Sequence, residues 1–167
     1  MQLFIQRLRL GFLGLLMLGL LAACQSTPAT KSPFNAEQIA TLKEQGFYQT
    51  DEGWELSFTD KLLFDFASSG LTSTSRNGIQ KISAALLKVN ITHLRVEGNT
   101  DNEGADALNN KLSLARANAV ADAMGTAGIP RANIVVLGLG KSKPVASNAS
   151  KAGQAENRRV TVIVTSP

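Results

Sequence analysis

Cysteine and histidine are nearly absent, with one of each, Cys24 and His93. A lone cysteine excludes an intrachain disulfide and a cysteine-rich metal site. A lone histidine on the polar side of an alternating segment has no second ligand or nucleophile near it in sequence. Long apolar runs are scarce as well. Leu10 to Leu21 is the one that stands out, and it falls short of the roughly 20 residues a membrane span needs. Aromatic residues stop early: Phe34, Phe47, Tyr48, Trp54, Phe58, Phe64 and Phe66 crowd one stretch, and none follows residue 66. The later core must therefore be built from Val, Ile, Leu and Ala. Excess charge is also small, 17 Lys and Arg against 13 Asp and Glu, and without Arg7 and Arg9 the surplus falls from four to two. Nucleic-acid binding needs basic residues gathered on one face, and Arg158-Arg159 is the only tight pair.

What is present begins with an address. Arg7 and Arg9 followed by the apolar run read as a signal peptide over residues 1–23. It ends in Leu21-Ala22-Ala23-Cys24, which is similar to the bacterial lipobox, and that resemblance implies acylation of Cys24. Each acyl methylene buried in lipid contributes roughly 0.8 kcal/mol, so the chains hold a protein at a membrane without a span. By the same resemblance, Gln25 in place of Asp implies the outer membrane, facing the periplasm.

Residues 24–52 read as a lipidated Cys, a polar tether with Pro28 and Pro33, and a short helix over 36–45. Asn35 and Gln38 have capping-box spacing, and Gly46 is a stop. As a flexible chain residues 25–53 would span roughly 30 Å, and at most about 100 Å when extended. The folded domain is expected over 53–167. Trp54-Glu55-Leu56-Ser57-Phe58 alternates as a strand, and 62–66 reads as strand then loop. Ile79, Ile82, Leu86 and Val89 set a helix over 75–89; strands are expected at 92–97, 133–139 and 159–165. Residues 105–127 read as helical with a break at Ser113, a good N-cap, and 140–157 as a long loop. The order β-α-β-α-β-β predicts an α/β two-layer sandwich with one mixed sheet.

Enzyme signatures are weak. Asp101 and Glu103 share one loop, whereas glycosidase carboxylates usually flank a cleft. Gly138-Leu139-Gly140-Lys141-Ser142 ends like a phosphate loop but has Val135 where the first glycine belongs. Asp101 to Gly104 imitates a calcium loop, yet its twelfth position is Leu112. No enzyme, cofactor or metal site is expected. A stronger pattern pairs opposite charges. Asp101 follows the strand at 92–97, and Arg116 would sit in the first turn of a helix capped by Ser113, on one face with Leu112 and Val120. Asp101 can take an ammonium and Arg116 can grip a carboxylate, which suits an α-amino-acid head group. The same pair could instead close the loop as an internal salt bridge, and spacing does not decide between them.

Four segments in order, Gly98 to Gly104, Asn109 to Ala117, Gly138 to Gly140 with Lys143-Pro144, and Glu156 to Val160, resemble the OmpA-like, or Pal-type, peptidoglycan-binding domain. The resemblance covers about residues 53–165. It implies an OmpA C-terminal-like fold and binding of meso-diaminopimelate by Asp101 and Arg116, with Asn102, Gly104, Asn109 and Arg158 as further contacts. Two positions depart: Asn99 stands where the family usually has His, and Phe66-Ala67 replace polar residues of the rim. Within the family, the stretch from Gly53-Trp54 to Lys61-Leu62-Leu63-Phe64 is similar to lipoproteins that capture a periplasmic repressor and so free an inner-membrane diguanylate cyclase. That likeness implies partner contacts by Phe47, Tyr48 and Trp54. A purely structural tether between outer membrane and wall is the alternative. The sequence leaves a homodimer open.

Overall fold

The computed structural model describes residues 33–65 and 68–165. The signal peptide, Cys24, and Phe66-Ala67 lie outside the described residues. From Pro33 onward the chain forms one compact unit. Its first helix, α1 (Ala36–Glu44), starts on a complete capping box: Gln38 N–H donates to Asn35 Oδ1 at 2.9 Å, and Asn35 N–H to Gln38 Oε1 at 3.0 Å. Nine residues are too few for a helix to stand alone. Two contacts hold α1 down: Leu42 is fully buried, and Gln38 Nε2 donates to Val89 O at 3.1 Å. Gly46, at φ +86°, turns the chain into β1 (Tyr48–Thr50), which forms a hairpin with β2 (Gly53–Thr59). The short helix expected ahead of the folded domain is present, and residues 33–52 pack on that domain. The reason is apolar burial: Phe34, Leu42 and Phe47 join the core, and each such side chain contributes roughly 1.5–3 kcal/mol.

The remaining elements are α2 (Asp60–Leu63), α3 (Ser73–Lys88), β3 (Leu94–Gly98), α4 (Asp106–Thr126), β4 (Ile134–Gly138), α5 (Lys151–Asn157) and β5 (Arg159–Val164). They form a mixed α/β fold with one five-stranded sheet, in the order β1-β2-β5-β3-β4. β3 and β4 are parallel and every other neighbouring pair is antiparallel. Period-two alternation decides the faces. Leu94, Val96, Val160, Val162 and Val164 join the core, while Arg95, Glu97, Thr161 and Ile163 point the other way.

Three expectations need correcting. Residues 60–63 are helical, and Phe64 makes only an isolated bridge to Leu71. The loop expected at 140–157 ends in α5, which Ser150 caps by accepting Gly153 N–H at 3.1 Å. Helix α4 runs unbroken through Ser113, whose buried hydroxyl donates to Asn110 O at 3.0 Å and accepts Gly140 N–H at 2.9 Å. Ser113 therefore clamps α4 to the exit of β4 and does not cap a helix. Close approach makes this clamp feasible. A side chain at Gly98 would meet Ser113 O at 2.0 Å, and one at Gly138 would meet Leu114 Cβ at 2.5 Å. These glycines are register partners, so α4 crosses the strand ends with its backbone nearly on the sheet.

Candidate functional site

Strand register assembles the site. β5 lies between β2 and β3, with Arg159 opposite Thr59 and Val160 opposite Gly98. The residues just past these ends, Asp60, Arg158 and the loop carrying Asp101, therefore converge. Asp60 N–H donates to Arg158 O at 2.8 Å, and Asn99 N–H to Arg159 O at 2.9 Å. The Asp101 loop is held from within: Glu103 N–H donates to Asp101 Oδ1 at 3.2 Å, and Asn109 Nδ2 to Glu103 O at 2.8 Å. Asn102 N–H donates to Asn148 Oδ1 at 3.2 Å, and Gly104 turns the loop at φ +82°. Fully buried Asn157 braces the far side, accepting from Val145 and Ala146 N–H and donating to Ala146 O and Asn148 Oδ1.

The side chains form a charge-balanced cluster. Arg158 Nη1 donates to Asp101 Oδ2 at 2.8 Å, and Arg158 Nε to Asp60 Oδ2 at 3.0 Å. Arg116 Nη1 lies 3.5 Å from the same Asp60 oxygen. The Arg116 guanidinium stands over the Phe64 ring, 5.1 Å from its centroid. The hydrogen bond to Asp101 holds the Arg158 pKa above the ordinary arginine value. Burial pushes that of Arg116 down, opposed mainly by the Asp60 charge. Arginine stays charged in either case. Among the described residues, the buried side-chain polar atoms with no partner are Arg116 Nε and the amide nitrogen and oxygen of Asn99. Beside Arg116 opens a groove of about 710 Å³ lined by Asp60, Lys61, Phe64, Asp65, Thr72, Arg116 and Arg158.

The expected pairing is thus rearranged. Asp101 binds Arg158, and Arg116 faces Asp60. Arg116 sits mid-helix, so no helix N-terminus assists it. Asp60 and Phe64 were not foreseen. The reading of 62–66 as strand then loop hides Phe64, nothing local marks Asp60, and what brings Asp60 to Arg158 is the β2–β5 register. Of the expected partner contacts, Phe47 and Trp54 are core residues at 3% and 4% exposure, while Tyr48 is 52% exposed. His93 is exposed, and among the described residues no cluster of His, Cys, Asp and Glu is arranged for a metal.

A second groove of about 630 Å³ crosses the outer face of the sheet. Several charges on this face pair with one another. Arg95 Nε donates to Glu97 Oε1 at 2.7 Å and Arg95 also pairs with Glu52, while Lys143 Nζ lies 3.1 Å from Glu52 and 3.5 Å from Glu97. The hydrogen bond between them lowers the Glu52 pKa and raises that of Lys143. Arg159 donates to the carbonyls of Asn157 and Lys143.

Comparison with known proteins places this architecture. The OmpA family matches residues 63–158, a stretch that contains Asp101, Arg116 and Arg158 and begins after Asp60. The outer-membrane lipoprotein YfiB of Pseudomonas aeruginosa is 52% identical over 149 residues, covering 89% of this chain and 88% of that protein. A solved cell wall anchor of the T6SS from Pseudomonas aeruginosa shares 31% identity at a TM-score of 0.66, over 81% of this chain and 99% of that one. The peptidoglycan-associated lipoprotein from Burkholderia pseudomallei shares 32% identity at a TM-score of 0.55, over 61% of this chain and 86% of that one.

Proposed function

The chain belongs to the OmpA family, and on that premise we propose that it is an outer-membrane lipoprotein that grips peptidoglycan without cutting it. Cys24 carries the lipid anchor, and the domain faces the periplasm. The ligand is the free zwitterionic head of meso-diaminopimelate, its carboxylate on Arg116 and its ammonium among the carboxylates that Arg158 holds in place. Asp101, Asn102, Gly104 and Asn109 shape the loop beside it. The observation that carries this reading is the Arg116 guanidinium at the wall of an open groove, held over the Phe64 ring and by a single 3.5 Å contact to Asp60. A guanidinium binds a carboxylate through charge-assisted hydrogen bonds, the strong kind. The names of the YfiB and peptidoglycan-associated relatives support both anchor and ligand. The test is retention of the chain on purified sacculi in the presence of free competitors. A stem tripeptide ending in meso-diaminopimelate should release it, and the same tripeptide ending in lysine, whose side chain ends in an ammonium with no carboxylate beside it, should not; equal effects of the two would contradict the reading.

A finer role is supported by the N-terminal segment. We propose that the chain also captures a periplasmic YfiR-like repressor, freeing a diguanylate cyclase and raising c-di-GMP. With α1 docked, Phe47 and Trp54 are buried and Tyr48 alone of the three is available. We infer that capture begins with release of α1, which Leu42 and Gln38 hold on the domain and which precedes Phe47 directly. Leu42→Pro should therefore raise affinity for the purified repressor, read by biolayer interferometry. Unchanged affinity would count against release of α1 as the switch and leave the purely structural tether.

A further inference from the structure

We propose that Asp60 makes the groove selective for a zwitterion over a simple carboxylate. The proposal rests on the diaminopimelate reading above and deepens it. Asp60 is the first residue of α2, with its backbone fixed to Arg158 O and its side chain lining the groove. Its Oδ2 is shared by Arg158 Nε and Arg116 Nη1. Its Oδ1 has no hydrogen-bond partner among the described residues, which leaves an acceptor beside the guanidinium that would take the guest's carboxylate.

Charge counting gives the selectivity. The cluster holds two guanidinium groups, Arg116 and Arg158, and two carboxylates, Asp60 and Asp101, and is neutral. Lys61 and Asp65 on the rim cancel each other as well. A bare carboxylate entering would leave one negative charge in excess at a largely buried site, and would compete with Asp60 for Arg116. A zwitterion adds no net charge: its carboxylate meets Arg116 while its ammonium meets Asp60. Asp60 thus refuses simple anions by being there before them, a repulsive element of the kind specificity usually needs.

The test compares two stem tripeptides by calorimetry on the intact lipoprotein in detergent. One ends in meso-diaminopimelate; the other ends in 2-aminopimelate, which keeps both carboxylates and lacks the free amine. The unaltered chain should prefer the first. Asp60→Asn should bind the first about tenfold more weakly, as loss of a charged hydrogen bond implies, and bind the second more tightly. Asp60→Glu, which keeps the charge, should keep the preference. If Asp60→Asn leaves the ratio of the two affinities unchanged, including by weakening both equally, the proposal is wrong while the ligand assignment stands. If the unaltered chain binds neither tripeptide, both readings fall together.

Discussion

Two grooves of nearly equal volume, about 710 and 630 Å³, lie in this domain, and both are lined by acids and bases. They differ in how their charges are satisfied. Across the outer face of the sheet Arg95 and Lys143 each reach two carboxylates, Glu52 and Glu97, and Arg159 finds two backbone carbonyls. In the groove at the strand ends Arg116 is buried, holds one carboxylate oxygen at 3.5 Å, and keeps a nitrogen without any partner. The Glu52 pairs beside the first groove are exposed, the kind that contribute little to stability or binding. The second groove holds its arginine by one long carboxylate contact and the face of a ring. Size does not separate the two; the sign of the lining charge and the weakly held guanidinium do.

Short of removing Arg116 itself, the contrast is broken most strongly at Asp101. Asp101→Ala frees Arg158 Nη1 and removes the acceptor of Glu103 N–H, so both the loop and the cluster's charge balance are lost. We expect sacculus binding to fall by roughly tenfold to a hundredfold, as truncation of a buried charged hydrogen bond does. A co-sedimentation isotherm on sacculi measures it. A smaller effect is expected from Phe64→Leu, which keeps the bulk under Arg116 but removes the ring. Loss of the cation–π contact should weaken binding by about threefold to tenfold in the same assay.

The smallest effect belongs to the outer groove. Lys143→Ala should change sacculus affinity by less than about twofold, because an exposed pair is worth at most about 1 kcal/mol and lies away from the ligand. Its signature is in the pH dependence of melting temperature. Glu52 has its pKa lowered by Lys143, so its contribution is present above the unfolded carboxylate pKa and is lost as pH falls through the folded value. Lys143 has its pKa raised by Glu52, so its contribution is present below the unfolded lysine pKa and is lost as pH rises through the folded value. Lys143→Ala should flatten both limbs slightly. An effect on wall binding as large as that of Asp101→Ala would erase the distinction between the grooves.

Much of the fold is legible in local pattern. The Asn35–Gln38 capping box, the helical spacing from Ile79 to Val89 and the alternation of Val160, Val162 and Val164 each act within a few residues, and each yields the element it implies. The site is legible in part. Asp101 and Arg116 are marked by charge type and by the family segments they stand in, whereas their partners are set by tertiary register. Nothing near Asp60 in sequence points to Arg158; only β5 inserted between β2 and β3 joins them. Ser113 misleads for the same reason, since its helix-capping chemistry is spent on Gly140, 27 residues away. The aromatic crowding before residue 66 is real, but most of it is core: Phe34, Phe47, Trp54 and Phe64 supply bulk that the aliphatic half of the chain lacks.

The central claim is that the buried guanidinium of Arg116 is the wall-binding group. The direct test is retention of the Arg116→Ala chain on purified sacculi, with circular dichroism to establish that the variant is folded. The account predicts near-complete loss of a folded protein from the wall fraction; retention equal to that of the unaltered chain would contradict it.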